Sequence, residues 1–217
     1  MKKIVSADEA VSGIRDGASI MLGGFMCCGQ PFGLVDAILR KGVKNLTLIV
    51  NDTGSPGLGV AKLVEQRRVA HVITSHIGLN PEAGKQMNAG TMKVELVPQG
   101  TLAERIRSAG AGLGAVVTPT GLGTEVEKGK QKILIDGREY LVELPLRAEF
   151  AFVTADIADK YGNGFVAKSR KNFNIVMAMA AQETILEADK LVETGELDPD
   201  RINLPGVFVH TIVEAGK

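Results

Sequence analysis

The chain has 217 residues, and at roughly 150 residues per domain that length suits one large domain covering residues 1–217. Its 25 Lys plus Arg balance 25 Asp plus Glu. A formal net charge of zero argues against a nucleic-acid module, which needs a basic face to displace phosphate counterions. The apolar fraction of 45% lies well outside the disordered range. Glycine is the outlier, at 26 of 217 residues or about 12%, against a usual value of roughly 7%. Trp is absent and aromatics are 4%, so the core must be built from Val, Ile, Leu, Ala and Met. Such a chain reads as an α/β protein with many tight turns. The N-terminus, Met1-Lys2-Lys3-Ile4-Val5 and then Asp8-Glu9, lacks the uninterrupted apolar stretch of a signal peptide. No run approaches the length of a membrane span. Cys27 and Cys28 are adjacent and poorly placed to bridge each other. A reduced, cytoplasmic enzyme or binding protein is expected, with no membrane and no nucleic acid among its partners.

In chain order, Ser6-Ala7-Asp8-Glu9 is a capping box and predicts a helix to about Arg15. A short strand over 19–22 runs into Gly23-Gly24, and Pro31 then opens a helix to about Lys41, closed by Gly42 as its C-cap. A strand over 46–50 leads to the turn-rich Asn51-Asp52-Thr53-Gly54-Ser55-Pro56-Gly57. A helix over 60–67 and a strand over 71–74 complete that unit. Pro81-Glu82 opens a helix to about Asn88, and a strand over 93–97 ends at Pro98-Gln99-Gly100. Thr101-Leu102-Ala103-Glu104 matches a second capping box, predicting a helix to Ser108. Residues 132–135 and 139–143 flank Asp136-Gly137, which suits a type I′ turn and hence a hairpin. A strand over 150–154, a turn at 161–164, a helix around 176–181 and strands over 184–188 and 207–213 follow. Strand, loop and helix in that order mark crossover units, so the expected fold is a three-layer α/β/α domain around an open, mostly parallel sheet, with a small hairpin excursion near 130–143.

The strongest local signal is Gly23-Gly24-Phe25-Met26-Cys27-Cys28-Gly29 before Gln30-Pro31. It sits where a parallel strand gives way to a helix, the place where open α/β sheets bind ligands. Bare backbone there lets N–H groups approach a ligand closely, although a tight turn with no ligand reads equally well. The spacing matches neither a dinucleotide fingerprint nor a P-loop. Cys27 and Cys28 read as buried small hydrophobes rather than nucleophiles. Of the three histidines, His71 and His76 have poor metal-ligand spacing; His71 reads as structural and His76 as a site candidate. Glu193 and Glu214 read as solvated surface. If the sheet is parallel, Asn51 and Gln99 emerge at the same edge as the glycine loop, and an amide there can donate to a carbonyl on which charge develops. The loops thus describe a pocket rich in donors, without an obvious nucleophile of its own and without a metal site.

Further motifs span the chain. Asp16-Gly17-Ala18-Ser19-Ile20-Met21-Leu22-Gly23-Gly24-Phe25 with Gly29-Gln30-Pro31, Asn51-Asp52-Thr53, Ser75-His76-Ile77-Gly78-Leu79-Asn80-Pro81-Glu82 and Pro98-Gln99-Gly100-Thr101 resemble family I coenzyme A-transferases of the α-subunit type. Gly110-Ala111-Gly112-Leu113-Gly114, Thr118-Pro119-Thr120-Gly121-Leu122-Gly123-Thr124 and Lys171-Asn172-Phe173-Asn174 agree with it. The resemblance is greatest to the bacterial enzymes acting on acetate, butyrate and acetoacetate. It implies the sheet architecture that these transferases share with sugar-phosphate isomerases. It implies coenzyme A esters as substrates and no permanently bound cofactor. A β-subunit partner, in an α2β2 assembly, would carry a glutamate nucleophile that forms a glutamyl–CoA thioester. It assigns the loop of Gly23, Gly24, Phe25, Met26, Cys27, Cys28 and Gly29 to coenzyme A, Gln99 to the acyl carbonyl, and Asn51 to its vicinity. The competing reading is a free-standing ligand-binding or sugar-phosphate isomerase-like domain of the same architecture. Such a site would call for basic residues on these loops, and the loops carry none.

Overall fold

The computed structural model describes residues 1–216. In chain order the elements are β1 (Lys3–Ile4), α1 (Ala7–Ala10), β2 (Ser19–Leu22), α2 (Phe32–Lys41), β3 (Leu46–Asp52), α3 (Val60–Glu65), β4 (Val69–His76), α4 (Pro81–Asn88) and β5 (Lys93–Leu96). There follow α5 (Gln99–Gly110), β6 (Val116–Thr118), β7 (Lys132–Ile135), β8 (Arg138–Glu143), β9 (Ala148–Asp159), β10 (Gly164–Phe165), α6 (Lys171–Ala180), β11 (Ala181–Val192) and β12 (Thr211–Glu214). The main sheet has the order β1-β12-β11-β9-β2-β3-β4-β5, with β10 beside β9. Neighbours along that path are parallel, and β10 alone runs antiparallel.

Period-two alternation along the strands builds the layers. Ile20, Leu22, Leu48, Val50, Val72 and Phe152 point to one face and pack with Leu34, Val35 and Ile38 of α2 and Leu63 of α3. Met21, Ile49, Ile73, Ala151 and Val153 point to the other and meet Leu102 and Ile106 of α5 and Phe173 and Met177 of α6. The expected three-layer α/β/α architecture is therefore present. The hairpin is present too: Asp136 and Gly137 have φ of 48° and 75°, as a type I′ turn requires. It belongs to a three-stranded sheet in the order β6-β8-β7, and β6 has no counterpart among the elements expected from the sequence.

Several element limits differ from expectation. Only half of the Ser6 capping box forms: Glu9 N donates to Ser6 Oγ at 3.3 Å, while the Glu9 carboxylate pairs with Lys3, and α1 stops at Ala10. Ser12 takes the Glu9 carbonyl through both its amide and, at 2.6 Å, its hydroxyl. That side chain competes with helix propagation just before Gly13. The second capping box does not form. The α5 helix begins at Gln99, with Leu102 N donating to Pro98 O at 2.8 Å. Thr101 therefore lies inside the first turn, buried, instead of capping it. Asn51 and Asp52 belong to β3, with Asp52 in register opposite His76, rather than to a turn. The last strand is shorter than expected because residues 206–208 form a 3₁₀ turn. A Cβ on Gly206 would meet Tyr161 O at 2.5 Å.

Candidate active site

Sequential strands β2 to β5 step outward in one direction, whereas β9, β11 and β12 lie on the other side of β2. The strand order reverses at β2, and the crevice outside the carboxyl ends of strands at such a point is the standard ligand position in open α/β sheets. Residues 23–29 leave β2 there, Asn51 and Asp52 end β3, Ser75 and His76 end β4, and Gln99 opens the helix after β5. A cavity of about 400 Å³ lies among them. Phe25, Met26 and Leu79 form its apolar side; Asn51, Asp52, Ser75, His76 and Gln99 form its polar side.

The polar side is a directed relay. Asp52 is 4% exposed and, as a carboxylate, can only accept hydrogen bonds. Its Oδ2 accepts from Asn51 Nδ2 and from the Met26 amide, both at 2.7 Å, and its Oδ1 accepts from Gly54 N at 2.9 Å. The Asn51 amide is thereby fixed with Oδ1 outward. That oxygen accepts from Gln99 Nε2 at 2.6 Å and from Ser75 Oγ at 3.2 Å. Gln99 must therefore turn its NH₂ end toward Asn51, and the second of its two amide protons is not used in this relay. Gln99 is exposed and Asn51 is buried, so the donor sits at the mouth and its support beneath.

The glycine loop is a tight hairpin in which Phe25 and Cys28 exchange backbone hydrogen bonds at 3.0 Å. Met26, at its tip, has φ of 52°. Its carbonyl accepts from Gln30 Nε2, and Gln30 Oε1 accepts from Val60 N at 2.9 Å. The base of the loop is held by Asn174, a fully buried residue. Asn174 Oδ1 accepts from Thr154 N at 2.9 Å, and its Nδ2 donates to Gly29 O at 3.0 Å. The glycines answer to this packing. A Cβ on Gly23 would lie 2.0 Å from Asn174 Oδ1, and one on Gly24, whose φ is +126°, would lie 2.5 Å from Gln30 Cγ. The loop needs bare backbone for its own closure.

Of the residues singled out in the sequence, Gln99, Asn51, Phe25, Met26 and His76 come together at the cavity, while Gly23, Gly24, Cys27, Cys28 and Gly29 do not line it. The cysteines are not buried hydrophobes: Cys27 is half-buried and Cys28 exposed, with Cys28 Sγ 3.3 Å from Ser169 Oγ. Cys27 sits in the two-residue tip and Cys28 on the hairpin edge facing Phe25, and neither place has an interior. His71 lies on β4 away from the cavity, its pKa lowered by burial and by Lys93. Glu193 is exposed and paired with Lys160, while Glu214 is half-buried on β12. Asp52, Ser75 and Leu79 were missed as site residues. The signal for Asp52 and Ser75 was their place beside Asn51 and His76 at strand ends; nothing local marks Leu79. Among the described residues, no group of His, Cys, Asp and Glu is placed to hold a metal ion. Two other hollows carry ion pairs that already satisfy each other: Arg105 with Glu95 at 3.0 Å and Lys130 with Glu143 at 2.6 Å in one, Arg107 with Glu104 at 2.7 Å in the other.

The chain is similar to proteins of known activity. The chain is 50% identical over 211 residues to the acetate CoA-transferase subunit alpha of Escherichia coli (strain K12), covering 97% of this chain and 96% of that one. It is 48% identical over 212 residues to the acetoacetyl-CoA:acetate/butyrate CoA transferase alpha subunit of Clostridium acetobutylicum, covering 98% and 97%. In fold it is similar to an acyl-CoA transferase from E. coli O157:H7 solved as a thioester complex with CoA. The TM-score is 0.88 at 22% identity, over 98% of this chain and 47% of that longer one. Glutaconate coenzyme A-transferase from Acidaminococcus fermentans gives a TM-score of 0.85 at 22% identity, over 98% and 75%. Nothing in these likenesses supports the isomerase-like alternative. A family model for coenzyme A transferase matches residues 4–215, and the chain belongs to that family.

Proposed function

We propose that this chain, as one domain over residues 1–217, is the α subunit of a heteromeric short-chain acyl-CoA:carboxylate CoA-transferase of the acetate, butyrate and acetoacetate class. Its partner is a β subunit, the assembly is α2β2, and the compartment is the cytoplasm; no helix among the described residues is long and apolar enough to cross a membrane. The observation that supports the reading is the Asp52–Asn51–Gln99 relay, which holds the Gln99 amide on the lining of a cavity of about 400 Å³. Oriented donors of this kind stabilise charge that develops in the transition state.

In the proposed reaction a glutamate carboxylate of the β subunit attacks the thioester carbonyl of acyl-CoA. Gln99 Nε2 donates to the carbonyl oxygen as it becomes negative, with Asn51 holding the amide in place. The CoA thiolate leaves, giving an acyl–glutamyl anhydride. The thiolate then attacks the glutamyl carbonyl, releasing the first carboxylate and leaving glutamyl–CoA. A second carboxylate reverses the sequence and departs as the new acyl-CoA. Coenzyme A is a substrate here and no resident cofactor is required. The glycine loop of Gly23, Gly24, Phe25, Met26, Cys27, Cys28 and Gly29 lies on the path of the incoming thioester. The test is co-purification with the β subunit and initial-rate kinetics with acetoacetyl-CoA and acetate. Parallel double-reciprocal lines, the mark of a covalent ping-pong route, are expected; intersecting lines would exclude it.

A further inference from the structure

The apolar side of the cavity contains a residue in an unusual backbone state. Five non-glycine residues among those described have positive φ, namely Met26, Asn45, Arg67, Asp136 and Lys168. The last four are exposed and polar, as is common for the left-handed region. Met26 is the one apolar member. Its backbone is tied on both sides, the amide to Asp52 Oδ2 at 2.7 Å and the carbonyl to Gln30 Nε2. Glycine would adopt this conformation without strain, so the backbone alone does not call for a methionine. The tie through Asp52 couples the position of Met26 to the same carboxylate that orients Asn51 and, through it, Gln99. Met26 lines the same cavity as Phe25, Leu79 and Gln99.

We infer that Met26 sets the length of acyl chain the cavity accepts, its thioether meeting the far end of an acyl group whose carbonyl is held at Gln99. The inference rests on the transferase reading above and adds to it the residue that selects among short carboxylic acids. A thioether is flexible and polarisable and adapts to irregular gaps, so the selection should be graded with chain length rather than an abrupt cut-off. In an apolar pocket one methylene is worth about 10–200-fold in discrimination.

The experiment compares Met26→Ala and Met26→Phe in the complex with the β subunit, using acetate, butyrate and hexanoate as acceptors. All three side chains face the same backbone strain at φ 52°, so that strain cancels between variants and volume remains. Met26→Ala should raise kcat/KM for hexanoate relative to acetate at least tenfold, mainly through a lower KM. Met26→Phe should move the same ratio at least tenfold the other way. If both variants move the ratio in one direction, or scale all acids by one factor, the inference is overturned. A wild-type complex inactive on every acid would instead overturn the transferase reading itself, and an active wild type with an unmoved ratio would overturn this inference alone.

Discussion

Gln99 uses one amide proton on Asn51, and its second is the donor proposed for the substrate carbonyl. Gln99→Ala should therefore lower turnover by about 10²–10³-fold, the usual cost of one oxyanion-type donor, with the complex still assembled. Steady-state kinetics on the purified complex checks this, and unchanged turnover would remove Gln99 from the site. Asp52 acts one step further back, because it accepts from Asn51 Nδ2 and, with Ser75 on Asn51 Oδ1, sets which way both amides face. Asp52→Ala leaves Asn51 Nδ2 and the Met26 amide without their acceptor. A buried donor left unpaired costs about 1–3 kcal/mol, so the variant should lose stability in urea and also turnover. A variant with full stability and full rate would show that the relay orients nothing. Asn51 and Gln99 were legible as strand-end amides sharing one edge. The role of Asp52 was not, since a carboxylate that follows an asparagine reads as turn chemistry until the β3–β4 register sets it opposite His76 on the cavity lining.

At the scale of elements, the loop after β2 and the start of α2 are held by side chains distant in sequence. Asn174 on α6 fills the space over Gly23, so Gly23→Ala must push its amide off Thr154 N and Gly29 O. Overpacking of this kind costs about 1–3 kcal/mol; chemical denaturation should show it, and wild-type stability would contradict the packing described. Glu187 on β11 accepts from Gly33 N at 3.2 Å and Leu34 N at 2.8 Å, capping α2 from across the layer. Burial, opposed by those two amides, pushes its carboxyl above its ordinary value of 4.5. The folded chain thus holds this proton to higher pH than the unfolded chain does, so the group's contribution to stability falls as pH rises from about 4.5 through the raised value. Glu187→Gln should lose that slope: its stability relative to wild type should improve steadily with pH across the window. A constant difference would mean the carboxyl titrates alike in both states. Strands and helices with strong local signals, such as 19–22, the helix closed by Gly42 and the helix opened by Pro81, stand where the sequence placed them. Thr101 misled because its capping-box spacing is real, yet the carbonyl of Pro98 had already begun the helix. The clamps by Asn174 and Glu187 span about 145 and 154 residues, and no local pattern announces them.

At the scale of the whole molecule, one parallel sheet delivers a hairpin, a strand-end amide and a helix-start amide to one edge, and alternation along its strands fixes both helical layers. That much was legible from period and punctuation. The third strand of the small sheet was not, because Val116–Thr118 is short and follows a glycine-rich stretch. The assembled edge offers oriented donors beside an apolar wall, which is half of what acyl transfer by covalent catalysis needs. The central claim is that the other half, the nucleophile, lies on a partner chain. Incubating the α–β complex with acyl-CoA in the absence of acceptor acid, reducing the enzyme thioester with borohydride and mapping the altered residue by mass spectrometry tests this directly. Modification of a glutamate of the β subunit and none on this chain is expected; modification of this chain, at Glu193 for instance, would put the nucleophile here instead.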